Sequence, residues 1–188
     1  MELTKICDGL DFPEGPIAMA DGSVILVEIR RQTLSRVTAD GSIEVISHLG
    51  GGPNGAAVGP DRMIYVCNNG GFVWTQKNGI TRPVGTPEDY VSGSIQRVDP
   101  ATGQFETIYE RCDGVPLRGP NDIVFDADGG FYFTDLGKAN AEYMHHGAFY
   151  YAKTDGSHIT RVHSPMITAN GIGLSPDGKT VHVAETRT

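Results

Sequence analysis

The chain has little that would tie it to a membrane, a nucleic acid or a thiolate metal site. No apolar run approaches the roughly twenty residues of a membrane span, and hydrophobic residues make up 39% of the 188. The opening segment, Met1 to Asp8, lacks the apolar stretch of a secretory leader. Lys and Arg number 15 against 23 Asp and Glu, a net charge of −8. No basic cluster interrupts that acidity, which disfavours nucleic acid and anionic membrane surfaces as partners. Cysteine is scarce, with Cys7, Cys67 and Cys112 widely spaced. Without a Cys-x-x-Cys pair a structural zinc site is not expected. Three unpaired thiols suit a reducing compartment, so a cytoplasmic location is expected, with a Cys7–Cys67 bridge as the alternative. A sustained helical period is absent too, so almost no helix is expected.

What the chain does have is one phrase, written four times. It runs Glu14-Gly-Pro-Ile-Ala-Met-Ala-Asp21-Gly22, Asn54-Gly-Ala-Ala-Val-Gly-Pro-Asp61-Arg62, Asn121-Asp-Ile-Val-Phe-Asp-Ala-Asp128-Gly129 and Asn170-Gly-Ile-Gly-Leu-Ser-Pro-Asp177-Gly178. In each copy an amide or carboxylate side chain precedes an Asp by seven residues, and an apolar strand follows. From Glu14 to Asn54, Asn121 and Asn170 the intervals are 40, 67 and 49 residues. Such spacings, with several short strands per unit, suit the blades of a β-propeller. Between the copies, runs such as Leu34–Val37 and Ile43–Ile46 flank Asp40-Gly41, and Phe149–Ala152 and Ile159–Val162 flank Asp155-Gly156. Short β-rich runs joined by such turns are hairpins. Each unit is therefore expected to hold four strands in two hairpins. The surplus of the longest interval falls between Trp74 and Gly93 and reads as a long loop, either a functional lid or a surface excursion.

In a propeller the innermost strand of each blade lines the central channel. The apolar residues after each Glu or Asn read as that strand, which puts Glu14, Asn54, Asn121 and Asn170 at one end of four successive inner strands. A single Asn at such a place would be read as a turn cap. Four oxygen-bearing residues in one register favour a shared site at a mouth of the axis. The fourth unit has only its first two strands, ending with Val181-His-Val-Ala-Glu-Thr186. The expectation is one β-propeller domain over residues 1–188, all-β and about three and a half blades. It would be the N-terminal portion of a longer protein, or be completed by a partner chain, because a half-built blade leaves strand edge unpaired.

Phe12-Pro-Glu-Gly-Pro16, Gly119-Pro-Asn-Asp-Ile123 with Phe131-Tyr-Phe-Thr-Asp135, and Ala169-Asn-Gly-Ile-Gly-Leu-Ser-Pro-Asp-Gly178 with Val183-Ala-Glu-Thr186 together resemble the gluconolactonase / senescence marker protein (regucalcin) family. Gly93-Ser-Ile-Gln-Arg-Val-Asp-Pro100 is similar to its bacterial sugar-lactonase branch. The resemblance implies a six-bladed propeller with one divalent cation on its axis, usually calcium, with zinc, manganese or magnesium as alternatives. It implies Glu14 and Asn170 as metal ligands, and Asn121 as a contact to metal or substrate. It further implies an Asp that binds metal and assists catalysis from a later blade, beyond Thr188, so no catalytic residue is assigned within the chain. The implied activity is hydrolysis of sugar lactones, small-molecule substrates.

The donor chemistry agrees with that implication. Amide and carboxylate oxygens are hard ligands and select calcium, magnesium or manganese. A cation there would polarise a lactone carbonyl and acidify water. Asn54 is expected to line the pocket, and Arg118 either to hold a product carboxylate or to face solvent. Asp122 reads as a partner orienting Asn121 or as a turn residue. Asp135 and Glu185 read as turn caps, and His145-His146 as a strand pair facing opposite ways. Trp74 and Tyr90 could stack on a sugar or pack the long loop down. Competing readings are a phosphotriesterase-like hydrolase on the same scaffold and a propeller that binds calcium without catalysis.

Overall fold

A computed structural model describes residues 3–187; Met1 and Glu2 of the opening segment, and Thr188, lie outside the described residues. Among those described there is no helix. The first four-stranded sheet is a simple meander of β1 (Pro13–Ala18), β2 (Val24–Glu28), β3 (Thr33–Val37) and β4 (Ile43–His48). The second starts with β5 (Pro53–Val58) and β6 (Ile64–Asn68), and departs into a separate two-stranded hairpin, β7 (Val73–Lys77) and β8 (Ile80–Gly85). It resumes with β9 (Ser94–Val98) and β10 (Phe105–Tyr109), so the order across the sheet is β10-β9-β6-β5. A small hairpin, β11 (Arg111–Cys112) and β12 (Val115–Pro116), leads to the third sheet. That sheet is β13 (Pro120–Phe125), β14 (Gly130–Asp135), β15 (Gly147–Lys153) and β16 (Ile159–Met166). A last pair, β17 (Ala169–Leu174) and β18 (Val181–Glu185), stands alone. Three blades and half of a fourth are therefore present, as the repeat predicts.

The stretch from Trp74 to Gly93 is not a plain loop: most of it is the β7–β8 hairpin. Its strands are largely exposed, so neither face carries the apolar alternation that marks a half-buried strand. The available signal was Asn78-Gly79 at the turn, where both residues have positive φ, the conformation a two-residue hairpin turn requires.

The core lies between blades. Ile25, Val27 and Leu34 of the first blade meet Ile64, Val66 and Val98 of the second. Tyr65, Cys67 and Ile95 of the second meet Ile123, Phe131, Phe133 and Tyr150 of the third. Phe133 stacks on Tyr150 at 5.0 Å between centroids, and Tyr65 meets Phe125 edge-on at the same distance. Each side chain of this kind contributes roughly 1.5–3 kcal/mol when taken from water. The turn Asp of the phrase holds its hairpin by accepting the N–H two residues on: Asp21 from Ser23, Asp61 from Met63 and Asp177 from Lys179. In the third copy Asp126 takes that part, accepting from Asp128 and Gly130. Cys7, Cys67 and Cys112 are free thiols.

Candidate functional site

Glu14, Asn54, Asn121 and Asn170 each occupy the second position of β1, β5, β13 and β17. Immediately around that position every one of these strands slips by one residue against its partner. Pro13 pairs with Glu28 but Ile17 with Ile25; Pro53 pairs with Asn68 but Gly55 with Cys67. Pro120 pairs with Asp135 but Ile123 with Phe133, and Ala169 with Glu185 but Ile172 with Val183. One extra residue on one strand is a β-bulge, which re-aims side chains at the end of a sheet. The same bulge, four times, turns the four side chains by the same device.

Consecutive inner strands touch at this level. Gly15, at φ +53°, lies against the next inner strand, and a Cβ there would sit 2.6 Å from the Ala56 nitrogen. A Cβ on Gly55 would collide with the Asn121 carbonyl. Between the third blade and the last pair the link is made of polar groups. Asp122 Oδ2 accepts the Ile172 N–H at 3.1 Å. The Asp122 N–H donates to Thr134 Oγ1 at 3.1 Å, and that hydroxyl donates to the Asn170 carbonyl. Asp122 is thus neither a turn residue nor a partner of the Asn121 amide: it bridges blades and fixes Asn121 against Asn170.

Asn54 and Asn121 are only 8% and 6% exposed, yet among the described residues neither side chain hydrogen-bonds to another group, and nor does exposed Glu14. Asn170 Nδ2 donates to Thr186 Oγ1 at 2.8 Å, and its Oδ1 takes no hydrogen bond among the described residues. The amides of Asn54 and Asn121 therefore keep their hydrogen-bonding capacity unspent on the protein among the described residues.

A second ring of oxygen-bearing residues behaves in the opposite way. Glu28, Asn68, Asp135 and Glu185 end β2, β6, β14 and β18 and pair with the first residue of each inner strand. All accept backbone N–H groups from the segment leading into that strand. Glu28 takes Asp11 at 2.7 Å, Asn68 takes Gly52 at 2.8 Å, and Glu185 takes Ile167 at 2.5 Å and Thr168 at 3.0 Å. Asp135 takes Arg118 and Gly119, each at 2.7 Å, and also Gly137 at 2.8 Å. Burial still holds the Asp135 carboxyl above the ordinary range, against those three N–H donors. Reading the sequence identified Asp135 and Glu185 only as caps and missed Glu28 and Asn68. The signal was a constant spacing: 14 residues from Glu14 to Glu28, Asn54 to Asn68 and Asn121 to Asp135, and 15 from Asn170 to Glu185.

Beside Asn170 opens a cavity of about 630 Å³, walled by the end of β8 and by the segment Leu136–His145 between β14 and β15. Thr86 Oγ1 joins the two walls through the Ala139 carbonyl at 3.1 Å. Lys138, 3% exposed, reaches back to blade two. Its Nζ donates to the Gly71 carbonyl at 2.6 Å and to Asn69 Oδ1 at 3.3 Å, 4.2 Å above the Phe72 ring. Burial pulls this ammonium down to about 7, with the Asp135 charge opposing. His145 and His146 are not a strand pair; they lie in the connection just before β15. Burial, and the neighbouring Arg118 charge, lower the His145 imidazole. Arg118 is half-buried beside it, and among the described residues no carboxylate binds its guanidinium. Trp74 packs edge-on against Phe12 at 4.8 Å, and Tyr90 donates to the Arg118 carbonyl at 2.5 Å. Both therefore pin the excursion down.

Among the described residues no three His, Cys, Asp or Glu side chains group so as to hold a metal, and no helix is long and apolar enough to cross a membrane. The donor set at the inner-strand register is instead one carboxylate and three amides. A gluconolactonase from Zymomonas mobilis is 24% identical over 95% of this chain and 50% of its own length. A Xanthomonas campestris gluconolactonase structure superposes with a TM-score of 0.72 at 25% identity, covering 95% of this chain and 56% of that one. A calcium-binding regucalcin from Agrobacterium tumefaciens gives 0.66 at 19% identity, over 95% and 52%, a likeness of fold. The chain thus spans about half the length of these relatives. The SMP-30/Gluconolactonase/LRE-like region matches residues 12–188, and the chain belongs to that family.

Proposed function

We propose that residues 1–188 belong to one β-propeller domain of a metal-dependent hydrolase that opens sugar lactones. Glu14, Asn121 and Asn170 hold a divalent cation, calcium by preference, while Asn54 and Arg118 face the substrate. The observation that carries this reading is the pair of buried amides, Asn54 and Asn121, with no protein partner in the register of Glu14 and Asn170. Oxygen donors of this kind fit a hard cation, and neutral amides leave it most of its positive charge. When bound, such an ion supplies electrophilic activation of an ester carbonyl. The chain's own residues orient the donors: the four bulges aim the side chains, Asp122 and Thr134 set the spacing of Asn121 and Asn170, and Thr186 fixes which end of the Asn170 amide faces inward. The gluconolactonase relatives support the substrate class.

Calcium titration by calorimetry tests the ligand set. Glu14→Gln is expected to weaken binding by about tenfold or more, since it removes the only ligand charge that residues 1–188 supply, and Asn54→Ala to weaken it less. Equal affinities for Glu14→Gln and the unmodified chain reject the assignment. Calcium binding without turnover of any lactone leaves a binding propeller instead of an enzyme.

A further inference from the structure

We infer that the cavity beside Asn170 receives an anionic group, so that the lactone this site takes carries a carboxylate or a phosphate next to its ring. The inference rests on the lactonase reading and adds a substrate class to it. The chain has 23 acidic side chains against 15 Lys and Arg, yet among the described residues no Asp or Glu lines this cavity, whereas Lys138, His145 and Arg187 all do. The carboxylates that end β14 and β18 are spent on backbone. Asp135 accepts from Arg118, Gly119 and Gly137, and Glu185 Oε2 from Ile167 and Thr168. Neither is free to neutralise the wall.

The wall also has hydrogen-bonding capacity left over. His145 Nδ1 is buried and has no partner among the described residues. Thr186 Oγ1 accepts from Asn170 and, among the described residues, donates its own proton to nothing. Phe72, Leu136 and Met144 also line the cavity and give a ring apolar surface to lie against. The electrostatics agree: Lys138 and His145 both have their charged forms disfavoured, chiefly by burial. An anion in the cavity would offset that cost in both, and would accept charge-assisted hydrogen bonds from Arg187 and His145. Because Asn170 belongs to both the cavity wall and the inner-strand register, a lactone carbonyl at that register places its substituent in the cavity.

Hydrolysis-proof analogues separate this from the lactonase reading itself. Pyroglutamate, a five-membered lactam with a carboxylate, is compared by calorimetry with neutral 2-pyrrolidone. Pyroglutamate is expected to bind about tenfold tighter or more, with the preference shrinking as salt rises. Arg187→Gln, at an exposed position that leaves the fold intact, and His145→Gln should each reduce that preference several-fold. Inorganic phosphate is the second arm: displacement of pyroglutamate at lower concentration than acetate needs assigns a phosphorylated substrate, and the reverse order a carboxylated one. Equal binding of the two lactams, or a preference that both variants leave untouched, overturns the inference. Turnover of neutral lactones no slower than of carboxylated or phosphorylated ones would also overturn it while leaving the lactonase intact. Tight pyroglutamate binding without turnover of any lactone would sink the lactonase and keep the anion site.

Discussion

Two rings of the same side-chain types run around this half-propeller, and they do opposite things. Glu14, Asn54, Asn121 and Asn170 make almost no bonds to the protein; Glu28, Asn68, Asp135 and Glu185 are committed to it. Chemistry does not separate the rings, since each mixes amides and carboxylates. Position does. The inner ring sits at the bulge near the start of the first strand, and the outer ring at the end of the second strand, across from it. A side chain at the outer position meets the N–H groups of the segment entering the inner strand. One at the inner position is turned away from every backbone donor. The outer ring fixes the strand ends between which the inner ring's side chains stay uncommitted to backbone.

The sharpest way to break this comparison is to exchange acid for methyl at Asp135. Asp135→Ala would strand the N–H groups of Gly119 and Gly137, which are buried, and that of Arg118, which is partly so. At about 1–3 kcal/mol for each unsatisfied group, the loss should be ~3 kcal/mol or more in urea unfolding. Asp135→Asn, which keeps an acceptor, should lose less. A change under ~1 kcal/mol for Asp135→Ala would mean that the outer ring is not structural.

The two rings contain the same residue at Asn68 and Asn121, and that pair offers a cleaner contrast. Asn68 Oδ1 accepts from Gly52 and Gly70, while its Nδ2 donates to Gly50 and Gln96. Asn68→Ala should destabilise by ~2 kcal/mol. Asn121→Ala, which removes an unpaired buried amide, should stay within ~0.5 kcal/mol in the presence of a chelator. Adding calcium should stabilise the unmodified chain more than Asn121→Ala. Equal destabilisation by the two alanines would erase the distinction.

Lys138 sharpens the comparison by pH, since it ties the loop after Asn68 to the turn after Asp135. Its ammonium is pulled down to about 7, mainly by burial, from 10.5 in an unfolded chain. Above about 7 the folded state has released a proton that the unfolded state still holds. Stability therefore rises with pH in this window, by up to ~1.4 kcal/mol per unit. The expected slope lies between pH 7 and 8, above the titration of carboxylates and histidines and below that of thiols. Lys138→Met should flatten it. A chain whose stability falls from pH 7 to 8 would contradict the sign.

Much of this architecture was legible in the sequence because it repeats. Four copies of one phrase gave the strand order within blades and the common register of Glu14, Asn54, Asn121 and Asn170. What stayed hidden was written without periodicity or across blades. The β7–β8 hairpin shows no apolar alternation, because both its faces meet solvent. Asp122 looked like a neighbour of Asn121, and only the approach of β17 shows that it serves Ile172. Lys138 carries no mark in the sequence: its burial comes from the Asn69–Phe72 segment of another blade. Glu28 and Asn68 were visible as a spacing of 14 residues, but the reason for the spacing is a hairpin pairing that composition does not reveal.

The smallest expected effect tests the repeat where it departs from itself. In the first, second and fourth phrases the turn Asp, seven residues after the site residue, accepts the N–H two positions on. In the third, that duty has moved to Asp126, whose Oδ1 accepts from both Asp128 and Gly130 at 2.9 Å. Asp128 itself accepts nothing among the described residues. The turn is at the surface, so water can replace a lost acceptor and the effect is small. Asp126→Ala should lower the thermal midpoint by about 2–3 °C, and Asp128→Ala by less than about 1 °C. If the order were reversed, the sequence register rather than the hydrogen-bond geometry would govern the turn. The outer ring's constant spacing would then be the safer guide to which acids hold this fold together.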